Sequence, residues 1–198
     1  MELKKVALVI ADVSGYTQFI LSNKTSLLHA EDIISQLLET VLDHADFPLI
    51  LNKLEGDAAF MYAELGADEA AAVRDVVRQV QAFFAAFHTK VKELSDGRSA
   101  CPCNACQRIR DLRLKAVVHT GEVAFKKIRQ FEELAGEEVI LAHRLLKNSV
   151  PSHEYILLTE VVYAVAGDEW TGRTEQRVEH YAGLGDVRVK VLYPLAEA

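Results

Sequence analysis

The chain holds only three cysteines, and all of them fall between positions 101 and 106. Thiols so few and so close together cannot build a disulfide framework, so a reducing compartment is expected. No apolar run reaches the length of a membrane span. The first such run, Val6 to Ile10, ends at Ala11-Asp12 and lacks a cleavage-site pattern, so it reads as a strand and not as a signal peptide. With no export signal and no span, a cytoplasmic protein without a membrane partner is expected. Positive charge is also short: 22 Lys and Arg face 29 Asp and Glu, for a net charge of -7. General nucleic-acid binding needs a basic face and is excluded on that balance. Internal repeats and low-complexity segments are absent as well. The cluster Lys126, Lys127 and Arg129 still has the charge to hold an anion locally.

What is present is ordinary for a globular protein: 50% hydrophobic and 26% charged residues in a chain of 198, enough for a sizeable core. Residues 1–198 are expected to form a single domain, with an inserted cysteine-containing loop at 96–110. Lys5 to Asp12 reads as a buried strand bounded by Ser14-Gly15, and Thr17 to Ser22 as one or two helical turns. His29 to His44 places Ile33, Ile34, Leu37, Leu38, Val41 and Leu42 at helical spacing. Phe47 to Leu54 and Ala58 to Ala63 flank Glu55-Gly56-Asp57 and read as a hairpin.

The longest helical pattern runs from Asp68 to Leu94, with Val73, Val76, Val77, Val80, Phe83, Phe84 and Phe87 as its apolar stripe. Leu112 to His119 reads as a strand, and Glu122 to Ile128, beyond Gly121, as its hairpin partner. Gly136 to Asn148 reads as a helix stopped by Val150-Pro151. Tyr155 to Leu158 is a short strand, Thr159 caps a short helix from Glu160 to Val165, and Gln176 to Tyr181 pairs with Val187 to Tyr193. The order gives an α/β (α+β) fold with a ferredoxin-like βαββαβ core.

Two phrases concentrate the chemistry. In Val9-Ile10-Ala11-Asp12-Val13-Ser14-Gly15-Tyr16-Thr17 a carboxylate ends a strand, and a turn through Gly15, Tyr16 and Thr17 leads into a helix. That layout aims backbone N–H groups at an anion, with an acid beside it to hold a cation. In Asn52-Lys53-Leu54-Glu55-Gly56-Asp57 a second carboxylate sits in the hairpin turn. If the hairpin lies beside the first strand, Asp12 and Asp57 converge. Two convergent aspartates suit a pair of Mg²⁺ or Mn²⁺ ions on a triphosphate. Taken singly, Asp12 also reads as a turn cap, Asp57 as a hairpin residue, Lys53 as half of a surface ion pair and Arg144 as part of a solvated helix face.

Four motifs in order carry a family resemblance. Asp12-Val13-Ser14-Gly15-Tyr16-Thr17, Gly56-Asp57, His119-Thr120-Gly121-Glu122 and the helix Gly136 to Arg144 together resemble the class III nucleotidyl cyclase (adenylate/guanylate cyclase homology) domain, in a divergent bacterial branch of unassigned function. The resemblance implies metal ligation by Asp12, by Asp57 and by the Val13 carbonyl. It implies that Lys53 reads a purine with Glu133 as its partner, and that Arg144 stabilises the transferring phosphate. The implied partners are a nucleoside triphosphate and a second copy of the chain, because the family's site spans a head-to-tail dimer.

Two positions depart from the pattern. Ile140 stands where an asparagine is expected, and Leu184 where a lysine is expected. Losing one preorganised polar group of this kind costs ~10²–10³ in rate, so a slow cyclase or a silent nucleotide-sensing or dimerisation module follows. Asn148, one helical turn beyond Arg144, is a candidate replacement for the missing amide. Cys101, Cys103 and Cys106 resemble part of a Zn²⁺ site, since thiolates are soft ligands. A fourth ligand must come from elsewhere; His88, His119 and a cysteine of a partner chain are candidates. A reduced loop without metal is the alternative.

Overall fold

The computed structural model describes residues 1–167 and 170–194. Among these, eight strands form one mixed sheet in the order β2-β3-β1-β4-β6-β8-β7, with β5 pairing to β4. The strands are β1 Glu2–Ser14, β2 Ile50–Glu55, β3 Ala58–Glu64, β4 Arg113–Ile128, β5 Phe131–Ala135, β6 Tyr155–Thr159, β7 Thr174–Tyr181 and β8 Gly185–Leu192. The helices are α1 Tyr16–Ser22, α2 Leu27–Asp43, α3 Glu69–Gly97, α4 Asn104–Gln107, α5 Glu137–Leu145 and α6 Glu160–Ala166. The βαββαβ order expected from periodicity is present. The expected domain 1–198 ends in residues 195–198, which lie outside the described residues.

β1 is apolar from Val6 to Ala11 because both of its faces are covered there. Ala7, Val9, Ala11 and Val13 face α2, α3 and α6 in the larger core. Val6, Leu8 and Ile10 face the other way, with Phe60, Tyr62, Phe125 and Ala142 of α5. Strand side chains alternate, so Asp12 continues the Val6-Leu8-Ile10 row and projects on the α5 face. α3 earns its length from a wide apolar stripe: Val73, Val76, Val80, Phe83, Phe84 and Phe87 are all buried. It starts at Asp68, whose side chain accepts a hydrogen bond from the Ala71 N–H at 2.9 Å.

Three sequence expectations are corrected. Gly121 does not end a strand: β4 runs unbroken through it, and its hairpin partner is β5. Gly121 makes room for a close approach: a Cβ there would lie 2.4 Å from Glu138 Cγ, so that side chain would have to shift. The cysteine segment is not structureless; it forms α4 and a short 3₁₀ turn, Ile109–Asp111, that buries Ala105, Cys106 and Ile109. The first strand of the β2–β3 hairpin begins at Ile50, not at Phe47. No described helix is long and apolar enough to cross a membrane.

Candidate functional site

The site grows from the edge where β1, β3 and β4 meet. Asp12 is paired across the sheet with Ala58 on one side and Lys115 on the other. The Val13 N–H donates to the Asp57 carbonyl at 3.0 Å, which locks the β2–β3 turn against the end of β1. Gly56 in that turn has φ 66°, a left-handed conformation that favours glycine. The two expected carboxylates therefore converge. Burial, the negative charge of Asp12 and a hydrogen bond with its carboxylate push the Asp57 carboxyl up to about 7. Two carboxylates this close resist ionising together unless a cation lies between or beside them.

One cation is already there. Lys115 Nζ lies 3.1 Å from Asp12 Oδ2. Lys115 escaped sequence reasoning, although a lone charge inside Leu114-Lys115-Ala116-Val117-Val118 was a usable signal. It shares the α5 face with Val117 and His119 by the same alternation that places Asp12 there.

Between the sheet and α5 lies an open cleft of about 680 Å³, lined among others by Asp12, Lys115, Ile140, His143, Arg144 and Lys147. Arg144 is exposed on it. Ile140 is 55% exposed on the same cleft. Asn148 does not reach it as a substitute amide. Its Nδ2 donates to the Leu145 carbonyl and to the Tyr155 hydroxyl, both at 2.7 Å, and its Oδ1 accepts from the Val150 N–H at 2.9 Å. Asn148 ends the helix instead. Leu184 sits in the β7–β8 turn, its N–H bonded to the Tyr181 carbonyl at 3.0 Å.

The β4–β5 hairpin folds over β2–β3 and brings Glu133 to Lys53. Lys53 Nζ lies 3.4 Å from Glu133 Oε2 and 3.2 Å from Glu55 Oε1. Burial works to lower the Lys53 ammonium, but its bonds and charge interactions with Glu55 and Glu133 outweigh burial and raise it. Lys53 is thus paired locally with Glu55 and across the two hairpins with Glu133. His143 joins the network through its Nε2, 3.0 Å from Glu55 Oε2, while its Nδ1 meets the Val139 carbonyl at 2.8 Å. Its ring packs edge-on against Phe60 at 5.0 Å. At the β1–α1 turn Gly15 adopts φ 90°, Thr17 is exposed, and the Tyr16 hydroxyl donates to Glu31 Oε1 at 3.4 Å.

The cysteines converge on a residue that sequence reasoning placed in a helix but did not name as a ligand. His29, in the first turn of α2, joins Cys101, Cys103 and Cys106, with the four ligand atoms within 4.8 Å of one another. His88 is instead engaged with Glu154 at 2.5 Å. His119 is held between Thr159 Oγ1 at 2.9 Å and Glu138 Oε2 at 2.5 Å. Neither is the fourth member, because each already has a partner elsewhere in the fold. A backbone bond from the Cys106 N–H is the main cause that draws the Cys103 thiol down to about 6. Burial and the neighbouring thiols push Cys106 up to about 11.

Comparison with known proteins agrees with this geometry at the level of fold. The model of the family described as "Protein of unknown function (DUF2652)" matches residues 34–155. "Uncharacterized protein Rv2561/Rv2562" of Mycobacterium tuberculosis is 39% identical over 154 residues, covering 77% of this chain and 69% of that protein. The adenylyl cyclase CyaB from P. aeruginosa superposes with a TM-score of 0.65 at 17% identity, over 100% of this chain and 96% of that one. The guanylate cyclase domain of RhGC from Catenaria anguillulae, solved in complex with GTP, superposes with a TM-score of 0.67 at 14% identity, over 99% and 100%. The chain therefore belongs to the DUF2652 family, and its fold is that of the class III adenylyl and guanylyl cyclase domains.

Proposed function

We propose that this chain is a divergent class III cyclase-type domain that binds a nucleoside triphosphate with two divalent cations, Mg²⁺ or Mn²⁺, and slowly forms a 3′,5′-cyclic nucleotide and pyrophosphate. The observation that carries the reading is the meeting of Asp12 and Asp57, with the Asp57 carboxyl pushed up to about 7. The donor set fits hard cations: two carboxylates and the Val13 carbonyl offer oxygen only, as Mg²⁺ and Mn²⁺ prefer. When bound, such cations would lower the pKa of the ribose 3′-hydroxyl and neutralise the triphosphate.

The remaining roles belong to the chain's own groups. Lys53 and Glu133 present a donor beside an acceptor, which complements the edge of a purine. Gly15, Tyr16 and Thr17 shape the turn next to the carboxylates. Arg144, always charged and exposed on α5, would meet the negative charge that develops on the transferring phosphoryl group at the partner's carboxylates. By the family's arrangement two copies build each site, with Asp12 and Asp57 from one protomer and Lys53, Glu133 and Arg144 from the other. Closed two-fold dimers are the commonest oligomers, which agrees with that assembly.

A second reading has its own observation. The Lys115 ammonium, 3.1 Å from Asp12, already supplies positive charge at the cation site. With Ile140 and Leu184 replacing two polar groups, the chain would then be a silent pseudo-cyclase that senses nucleotide or dimerises. Purified full-length protein incubated with Mn²⁺ and ATP, GTP, CTP or UTP in turn, then chromatographed, separates the two. Cyclic product that disappears with EDTA and in Asp57→Ala supports the enzyme. Nucleotide binding without product supports the silent module, and no binding to any triphosphate overturns both the enzyme and the nucleotide sensor.

A further inference from the structure

The cysteine cluster is separate from the cleft. Cys106 belongs to the core on the α2/α3 side of the sheet, whereas α5 and the cleft occupy the other side. Cys101 and Cys103 come from the segment after α3, Cys106 from α4 and His29 from α2. Four side chains from three segments thus point at one place.

The distances say what that place is. His29 Nδ1 lies 3.4 Å from Cys103 Sγ, and 3.6 Å from both Cys101 Sγ and Cys106 Sγ. One ring nitrogen has one lone pair or one proton, so it can serve one sulfur as a hydrogen-bond partner, not three. Three nearly equal distances are instead the edges of a coordination tetrahedron. Bonds of about 2.3 Å to sulfur and about 2.05 Å to nitrogen, at the tetrahedral angle, separate N from S by about 3.6 Å. We propose that His29, Cys101, Cys103 and Cys106 form a closed, mononuclear Cys₃His site for Zn²⁺.

The chemistry of the set points the same way. Three thiolates and an imidazole are soft to borderline donors that suit Zn²⁺ and not Mg²⁺ or Ca²⁺. Four protein ligands leave no open position, which marks a structural ion and not a catalytic one. A multi-iron cluster would need its ligands spread around several metal atoms, but these four lie within 4.8 Å of one another. Neighbouring groups support the ligands. The Cys106 N–H donates to Cys103 Sγ at 3.4 Å, and the Gln107 side chain fixes the Cys101 carbonyl at 2.8 Å. Asn104 Nδ2 donates to the Ser22 carbonyl at 3.3 Å, joining the loop to the end of α1. The ion would therefore tie the start of α2 to the segment leaving α3. Loading releases a proton from each thiol not already ionised. None of this rests on the nucleotide reading.

The test is elemental analysis of the full chain, purified without a chelating tag or chelator, alongside Co²⁺ substitution. About one zinc per chain is expected, and Co²⁺ should give the intense d–d bands of a tetrahedral ion with thiolate-to-cobalt charge transfer. His29 is exposed, so His29→Ala removes no buried packing, and its fold is checked by circular dichroism; it and Cys103→Ser should each lower zinc retained after dialysis at least tenfold. Wild-type protein with under a tenth of a zinc per chain and no tetrahedral cobalt spectrum overturns the proposal. So does iron with inorganic sulfide in place of zinc, or a His29→Ala variant that keeps wild-type zinc and cobalt spectra. Triphosphate binding measured on the same sample reports separately on the cleft.

Discussion

Asp57 carries the first prediction at the scale of single residues. Its carboxyl titrates at about 7 in the folded chain, above the ordinary value of 3.8. The folded state therefore holds an extra proton between about pH 4 and about pH 7, so stability falls as pH rises through that window. Thermal melts without divalent ions should show that decline, Mn²⁺ should recover stability above pH 7, and Asp57→Asn should flatten the slope. An unchanged slope in the variant would place the titration elsewhere. Ile140 carries the second prediction. It is 55% exposed, so an asparagine there buries no amide and should change stability by no more than about 0.5 kcal/mol. If the missing amide limits turnover, Ile140→Asn should raise cyclic product on the order of 10²-fold. Unchanged product at an unchanged melting temperature favours the silent module. The nearness of Asp12 to Asp57 and of Lys53 to Glu133 was legible in the sequence because each residue sits at a fixed offset inside a local motif. Lys115 and His29 were not, because each matters only through a partner that the fold brings from far along the chain.

At the scale of elements, apolar patterning located most strands and helix cores but missed β5 and α4 and misplaced several ends. β1 and α3 were readable because a run covered on both faces and a long 3.6-residue stripe have few alternative explanations. β4 was misread at Gly121, since glycine usually punctuates a strand. Here it makes room for Glu138, which pairs with buried His119. Gly121→Ala should displace Glu138 and cost about 1–3 kcal/mol, the range for a disturbed buried polar pair. In a Glu138→Ala background the same change should cost much less, because the obstructing side chain is gone. Equal costs in the two backgrounds, measured by denaturant unfolding, would contradict that cause. The cysteine segment escaped for a related reason. Its turns are too short to carry a period, and the burial of Cys106 and Ile109 depends on α2 and α3.

Over the whole molecule, one sheet collects the motifs, and under the proposed function two copies of the chain share each site. Light scattering at micromolar concentration is expected to show a dimer in the presence of Mn²⁺ and nucleotide. A monomer under every condition would contradict the shared site. The proposal of a metal-dependent nucleotide site at Asp12 and Asp57 is tested most directly by calorimetry, titrating ATP or GTP into the chain with and without Mn²⁺. Saturable binding that requires Mn²⁺ and vanishes in a folded Asp57→Ala variant is the expected result, because the metals must offset the triphosphate's charge. Binding that persists undiminished in Asp57→Ala, or no binding of either nucleotide by the wild type, would contradict it.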